Sequence, residues 1–281
     1  MPRMDDPAYL SFKANFASSD FVTAYDELPL WSAMFGSLLL DEVPLAGVSA
    51  LLDVGCGTGF PLIELAERLG PAVQAHGIDP WSAGLARAAF KLAVRGTPNV
   101  TLHEGSAASM PFDDAGFDLI VSNLGINNFD DRIAAMAECR RVARRGAVLA
   151  LTTNLRGHMQ ELYTIFDALL AAHGSEAQRD ALQLHVDHRA TVDGVHRLLG
   201  DSGFAVARTV ERSARMRFAD GTALLNHHFI KLGFLDGWKS VVAGSERTMF
   251  PLLEEALNDY ARRNGGLSLT IPMAYIEARA V

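Results

Sequence analysis

The chain has 281 residues, 49% hydrophobic and 21% charged, the balance of an ordinary globular protein, which excludes disordered, low-complexity and coiled-coil chains. A net charge of −8 at pH 7 argues against broad nucleic-acid binding, which needs clustered Lys and Arg, and favours a small-molecule partner. Cys56 and Cys139 are too few for a disulfide framework or a thiolate metal cage; the acidic start and the lack of an apolar run of roughly 18 residues predict a cytosolic chain with no membrane partner.

Residues 1–46 predict a helical leader acting as a lid, with Phe21, Leu28, Trp31, Met34, Phe35 and Leu38 to Leu40 grouped before Pro44 and Gly47. Residues 47–155 then predict alternating strands and helices. Ser49 to Val54 is a short apolar run, followed by Leu62, Leu65, Ala66 and Leu69 at helical spacing. Val73 to Ile78 predicts a second strand, and Ser82 is a candidate cap for a helix facing inward through Leu85, Ala88, Ala89 and Leu92. Asn99 to His103, Phe117 to Ser122 and Ala147 to Thr153 predict further strands, the last two flanking a helix from about Asp130 to Arg145. Acids at the start of that helix and Arg140, Arg141, Arg144 and Arg145 toward its end would match the helix dipole.

Residues 156–281 predict completion of the sheet and a helical substrate cap, with helices near 158–173, 191–200, 220–236 and 249–263. Phe204 to Glu211 and the stretch from Leu267 to Ile271 read as two strands paired antiparallel at a sheet edge, the second made irregular by Pro272. The expected fold class is α/β: a doubly wound, mostly parallel, seven-stranded Rossmann-like sheet with an antiparallel edge strand.

The chemistry concentrates in Asp53-Val54-Gly55-Cys56-Gly57-Thr58-Gly59, where a strand runs through three alternating glycines into a helix. Glycines let the backbone turn sharply and approach a ligand, and the helix behind offers unpaired N–H groups and a positive dipole end. About twenty residues on, Asp79 stands where a carboxylate accepts from the hydroxyls of a ribose. A dehydrogenase fingerprint would read G-x-G-x-x-G; this loop reads G-x-G-x-G with Asp53 before it.

With LLDVGCGTG at 51–59, GIDP at 77–80, EGSAASMPF at 104–112 and FDLIVSN at 117–123, the chain resembles the class I S-adenosylmethionine-dependent methyltransferases, in particular those acting on ubiquinone precursors and other small molecules. The resemblance covers roughly residues 49–155 and implies S-adenosylmethionine as cofactor. It implies that Asp53 and the backbone through Gly55, Cys56, Gly57 and Gly59 hold the methionine portion, and that Asp79 binds the ribose. Pro80 and Trp81 would lie beside the adenine, Ser106 would read its edge through the side chain and Ala107 through the backbone N–H, and Asn123 would place main-chain groups near the methionine amine. One departure is Ser106, where the family usually has an aspartate; serine accepts a hydrogen bond without charge.

Methyl transfer from an activated sulfonium requires alignment and no obligatory base, so no catalytic residue is named. Tyr25, Trp31, His158, Tyr163 and His228 are candidates for a lid or pocket by location. His185 and His188, with Asp187 between them, share a helix face but lack an evident third ligand, and no metal is expected. Cys56 reads as a small buried spacer more readily than as a reactive thiol. SNLGIN after the fourth strand lacks the N-P-P-aromatic motif of base methyltransferases, which again disfavours nucleic acid. A noncatalytic cofactor- or partner-binding protein of the same fold, and a nicotinamide-dependent dehydrogenase, are the alternatives. Nothing in the sequence sets the acceptor atom or the oligomeric state.

Overall fold

A computed structural model describes residues 7–27 and 31–281; Leu28 of the leader lies outside them. The described residues of the leader form a short 3-10 turn at Ala8–Ser11 and two α-helices, α1 (Ser19–Asp26) and α2 (Ser32–Glu42). Ser18 starts α1 by accepting the Phe21 N–H, and α2 buries Phe35, Leu38 and Leu39.

The alternation then runs β1 (Ala50–Val54), α3 (Leu62–Leu69), β2 (Gln74–Asp79), α4 (Ser82–Arg95), β3 (Val100–Glu104), β4 (Phe117–Asn123), α5 (Arg132–Val142) and β5 (Ala143–Asn154). It continues as α6 (Gln160–His173), α7 (Glu176–Asp187), α8 (Val192–Asp201), β6 (Phe204–Phe218), α9 (Gly221–Asn226), α10 (His228–Gly233), α11 (Leu235–Val241), α12 (Glu246–Asn264) and β7 (Leu267–Ala280). The sheet has seven strands in the order β3-β2-β1-β4-β5-β7-β6. The pairs β1–β2, β2–β3, β1–β4 and β4–β5 are parallel, and β7 runs antiparallel to β5 from Val148↔Arg279 to Asn154↔Met273. Every residue of β1 is buried, as expected for a central parallel strand covered on both faces.

Several boundaries differ from those predicted. The helix before β5 ends at Val142, so Arg144 and Arg145 lie in the strand; the Arg144 guanidinium meets Asp118 at 2.6 Å across the parallel pair. Trp81, not Ser82, holds the cap position of α4, without a side-chain bond. Pro272 does not interrupt β7: it lies just beyond the last residue paired with β5, Met273, so that ladder asks no N–H of it, and its carbonyl accepts the Leu155 N–H at 3.0 Å.

The described residues pack as two compact units. One comprises 16–154, 190–212 and 273–281 and contains the parallel sheet. The other comprises the described residues up to 15 together with 155–189 and 213–272. Its helices bury Phe166, Trp238, Phe250, Leu253 and Leu257, and Tyr9 donates to Glu254 at 2.8 Å. Among the described residues no helix is long and apolar enough to cross a membrane.

Candidate functional site

β1 has β2 on one side and β4 on the other, so its carboxyl end is the point where the strand order reverses, the usual ligand crevice of an open α/β sheet. The chain leaves β1 there through the glycine loop. Gly55, Gly57 and Gly59 all have positive φ, at 81°, 51° and 95°, a region that L side chains rarely adopt. A methyl group at Gly59 would stand 2.8 Å from Ile63 and 3.1 Å from Ala88, so that glycine allows α3 to pack. A methyl group at Gly57 would meet nothing within 4 Å: that face of the loop is open.

The loop is tied to the end of β2. The Gly55 N–H donates to the Ile78 carbonyl at 2.9 Å, and the Gly57 N–H to one Asp79 oxygen at 2.8 Å. The other Asp79 oxygen accepts the Trp81 N–H at 2.8 Å. Burial raises the Asp79 carboxyl above its ordinary range, and these two N–H groups oppose the rise. Asp53 is fully buried, and neither of its oxygens has a hydrogen-bond partner among the described residues. Burial, then the Asp79 charge, push it up to about 8, with only the Leu62 backbone N–H acting in the other direction. Cys56 is buried, its sulfur where a methyl group on Gly77 would stand 2.8 Å away; burial first, then Asp53 and Asp79, raise its thiol, so it is an unreactive spacer.

The predicted residues beyond the loop differ in what they leave available. Gly105 donates to the Asp79 carbonyl at 3.1 Å, bringing the start of the Ser106-Ala107 segment to the end of β2. Ser106 is exposed, and its hydroxyl accepts the Ala108 N–H at 3.2 Å. Pro80 is exposed. The Asn123 side chain is already engaged, donating to the Ser32 carbonyl at 3.1 Å and accepting from Thr152 at 2.7 Å, which leaves its main chain. The Trp81 indole donates to the Phe16 carbonyl at 2.7 Å and is packed edge-on by Phe16 and Tyr25, with Gly84 beneath it.

Three contributors escaped the sequence reading. Asp26, at the end of α1, accepts from Arg87 at 2.8 Å and Lys91 at 2.7 Å on α4. Burial raises its carboxyl, but bonds from Lys91, Arg87 and Thr58 outweigh that and the net shift is downward. Thr58, inside the glycine loop, is thus the second missed residue. Gly125 is the third: a methyl group there would collide with the Ser122 hydroxyl at 2.3 Å and the Val54 carbonyl at 2.8 Å. The available signals were the four-residue spacing of Arg87 and Lys91 and a glycine just after β4.

Residues 52–151 match the family model described as "Methyltransferase domain". The demethylmenaquinone methyltransferase of Anoxybacillus flavithermus is 36% identical over 127 residues, covering 44% of this chain and 54% of that protein. The chain thus spans about half the length of the curated relatives it matches first. Nocamycin O-methyltransferase of Saccharothrix syringae is 26% identical over 251 residues, covering 86% of this chain and 89% of that one. By these matches residues 52–151 carry a methyltransferase domain. The YcgJ protein from Bacillus subtilis shares the fold at 18% identity, with a TM-score of 0.57, 88% of this chain and 98% of that one aligned.

The methyltransferase core suits the family's cofactor. Gly57 leaves a cradle that any Cβ would enter, and Asp53 is a buried acid without a hydrogen-bond partner among the described residues. With Asp79 it forms an acidic pair that a cationic sulfonium and ammonium would neutralise.

The histidines face other neighbours. His185 Nε2 lies 3.2 Å from the Tyr163 hydroxyl, and His188 Nδ1 turns to the His185 carbonyl. His227 packs edge-on to Phe218, whereas His228 meets Phe12. Among the described residues no group of three His, Cys, Asp or Glu is placed to hold a metal ion.

Proposed function

We propose that this protein transfers the methyl group of S-adenosylmethionine to a small-molecule acceptor in the cytosol, without nucleic acid or membrane as partner. The observation that carries the reading is the convergence of the open Gly57 cradle, the Asp79 carboxylate and the buried Asp53 at the switch point of the sheet. When bound, the cofactor supplies a methyl group already activated on a sulfonium.

In this reading Asp53 and the backbone of Gly55, Cys56, Gly57 and Gly59 hold the methionine portion, and Asp79 the ribose. Pro80 and Trp81 flank the adenine, Ser106 and Ala107 read its edge, and Asn123 contributes through its main chain. The two bonds Asp79 already accepts orient its carboxylate, and each oxygen retains a lone pair for a hydroxyl. The leader through residue 46 serves as a lid, anchored through Asp26, and keeps water from the reacting groups. The helices after residue 155 select the acceptor. An oxygen acceptor is favoured by the name of the relative that spans most of the chain.

Calorimetric titration with S-adenosylmethionine, S-adenosylhomocysteine and NADH tests the cofactor. Micromolar binding of the first two and none of the third is expected. Asp79→Ala should weaken both by about 10- to 100-fold, the scale of charge-assisted hydrogen bonds. Binding of NADH alone would return the glycine loop to the dehydrogenases. Tight S-adenosylmethionine binding without turnover on a panel of phenols, enols and carboxylic acids would leave a noncatalytic binder.

A further inference from the structure

Helix α1 meets the glycine loop and the end of β2 through two consecutive residues, all within the unit that carries the parallel sheet. Asp26 is spent on holding the helix: it accepts from Arg87 and Lys91 on α4 and from Thr58 in the glycine loop. Tyr25, beside it, sets its ring edge-on to Trp81 at 5.4 Å. Trp81 gives its backbone N–H to one Asp79 oxygen at 2.8 Å, and Gly57, next to Thr58, gives its own to the other at 2.8 Å. Both contacts that fix Tyr25 and its neighbour therefore lead to the Asp79 carboxylate.

The Tyr25 hydroxyl is the uncommitted group of this arrangement. Burial first, then the Asp79 charge, then that of Asp26, raise the phenol, so it keeps its proton and stays a donor, yet it bonds to neither carboxylate. A tyrosine hydroxyl out of bulk water ordinarily finds a partner. The crevice is open at this point: a methyl group on Gly57 would meet nothing within 4 Å, and Tyr25, Asp79 and Trp81 are each only part-buried.

We propose that Tyr25 is a cofactor-positioning residue, its hydroxyl donating to one of the two ribose hydroxyls that Asp79 accepts from. A ribose hydroxyl gives its single proton to the carboxylate and keeps two lone pairs, and a phenol is a donor that suits them. Tyr25 brings this donor from the leader rather than from the sheet, so the bound cofactor fastens α1 over itself. The proposal rests on the assignment of Asp79 to the ribose.

The test is calorimetric titration of the full chain and of Tyr25→Phe, which keeps a ring against Trp81, with S-adenosylhomocysteine and with its 2′-deoxy and 3′-deoxy forms. Tyr25→Phe should weaken S-adenosylhomocysteine about three- to tenfold. With one of the two deoxy forms the variant and the parent should bind alike, because the hydroxyl that Tyr25 meets is gone; with the other the difference should remain. Hydrogen exchange gives a second readout: S-adenosylhomocysteine should slow exchange in α1 of the parent and slow it less in the variant. Equal affinity of parent and folded Tyr25→Phe for S-adenosylhomocysteine, or a penalty that persists with both deoxy forms, overturns the proposal and leaves Tyr25 as packing for Trp81. If Tyr25→Phe does not fold, the parent decides, since α1 exchange that ignores S-adenosylhomocysteine overturns the proposal as well. A parent chain that does not bind S-adenosylhomocysteine at all counts against the methyltransferase reading itself, and the proposal falls with it.

Discussion

At Asp53, burial and the Asp79 charge raise the carboxyl to about 8, so near pH 7 the folded chain holds a proton that the unfolded chain has released. The stability this contributes is fully present below about pH 4 and is lost as pH rises through about 8. Asp53→Asn keeps the shape and removes the titration. Its thermal midpoint should fall less than the parent's between about pH 5 and about pH 8, and parallel curves would show that Asp53 is ionised throughout. The glycines separate packing from ligand space. Gly59→Ala, driven against Ile63 and Ala88, should cost about 2–4 kcal/mol in chemical denaturation. Gly57→Ala should cost only about 1 kcal/mol of stability yet weaken S-adenosylhomocysteine at least about tenfold, because its methyl enters the open cradle. Equal losses of stability in the two variants would refute this division. The spacing of Gly55, Gly57 and Gly59 made the loop legible, since alternating glycines exceed what a turn requires. Gly125 was not legible in the same way: its need for glycine comes from the Val54 carbonyl and the Ser122 hydroxyl, and the first is a neighbour only after β1 and β4 pair.

Among the elements, α1 has little apolar surface of its own to bury, with Val22 its one buried residue, so its place on α4 depends on Asp26 meeting Arg87 and Lys91. Asp26→Asn should cost about 1–2 kcal/mol, between an exposed and a buried ion pair, and speed hydrogen exchange in α1 while β1 is unchanged. Unchanged exchange in α1 would mean that Trp81 and its neighbours hold the helix unaided. The central strands β1 and β4 were legible because each is a short, largely apolar run that is buried in the sheet. β6 reached Phe218, beyond the expected Glu211, because its outer half is largely exposed and carries polar residues that read as loop. Helix α7 was missed for a similar reason: it buries only Leu182, and its clearest mark is the capping box of Ser175 and Gln178 rather than an apolar stripe. Arg144 and Arg145 fall in the helix expected between the fourth and fifth strands, where they would suit its dipole, whereas Asp118 draws Arg144 into the start of β5.

Across the whole molecule, the two units share one thread of chain, and the parallel sheet takes in β7 only after the helical unit has been traversed. β7 covers seven residues of β5 and is mostly buried. Deleting residues 267–281 should therefore abolish cooperative unfolding and S-adenosylhomocysteine binding together, checked by calorimetry. A truncated chain that still melts cooperatively and binds would show that the parallel strands suffice. The number of strands and the antiparallel edge could be anticipated because each strand carries its own pattern along the chain. The interleaving could not, since it depends on which distant segments meet. The order of strands along the chain also has a cost in time. When β5 leaves the ribosome, the strand that will cover it has yet to be made, and residues 155–266 must follow first. At the usual speed of translation, about 5–20 residues per second, that edge waits on the order of ten seconds with its amide and carbonyl groups open to any passing strand. The yield of soluble chain in a cell should then depend on how quickly the ribosome crosses the helical unit, and slow codons placed there should send more of it into aggregates.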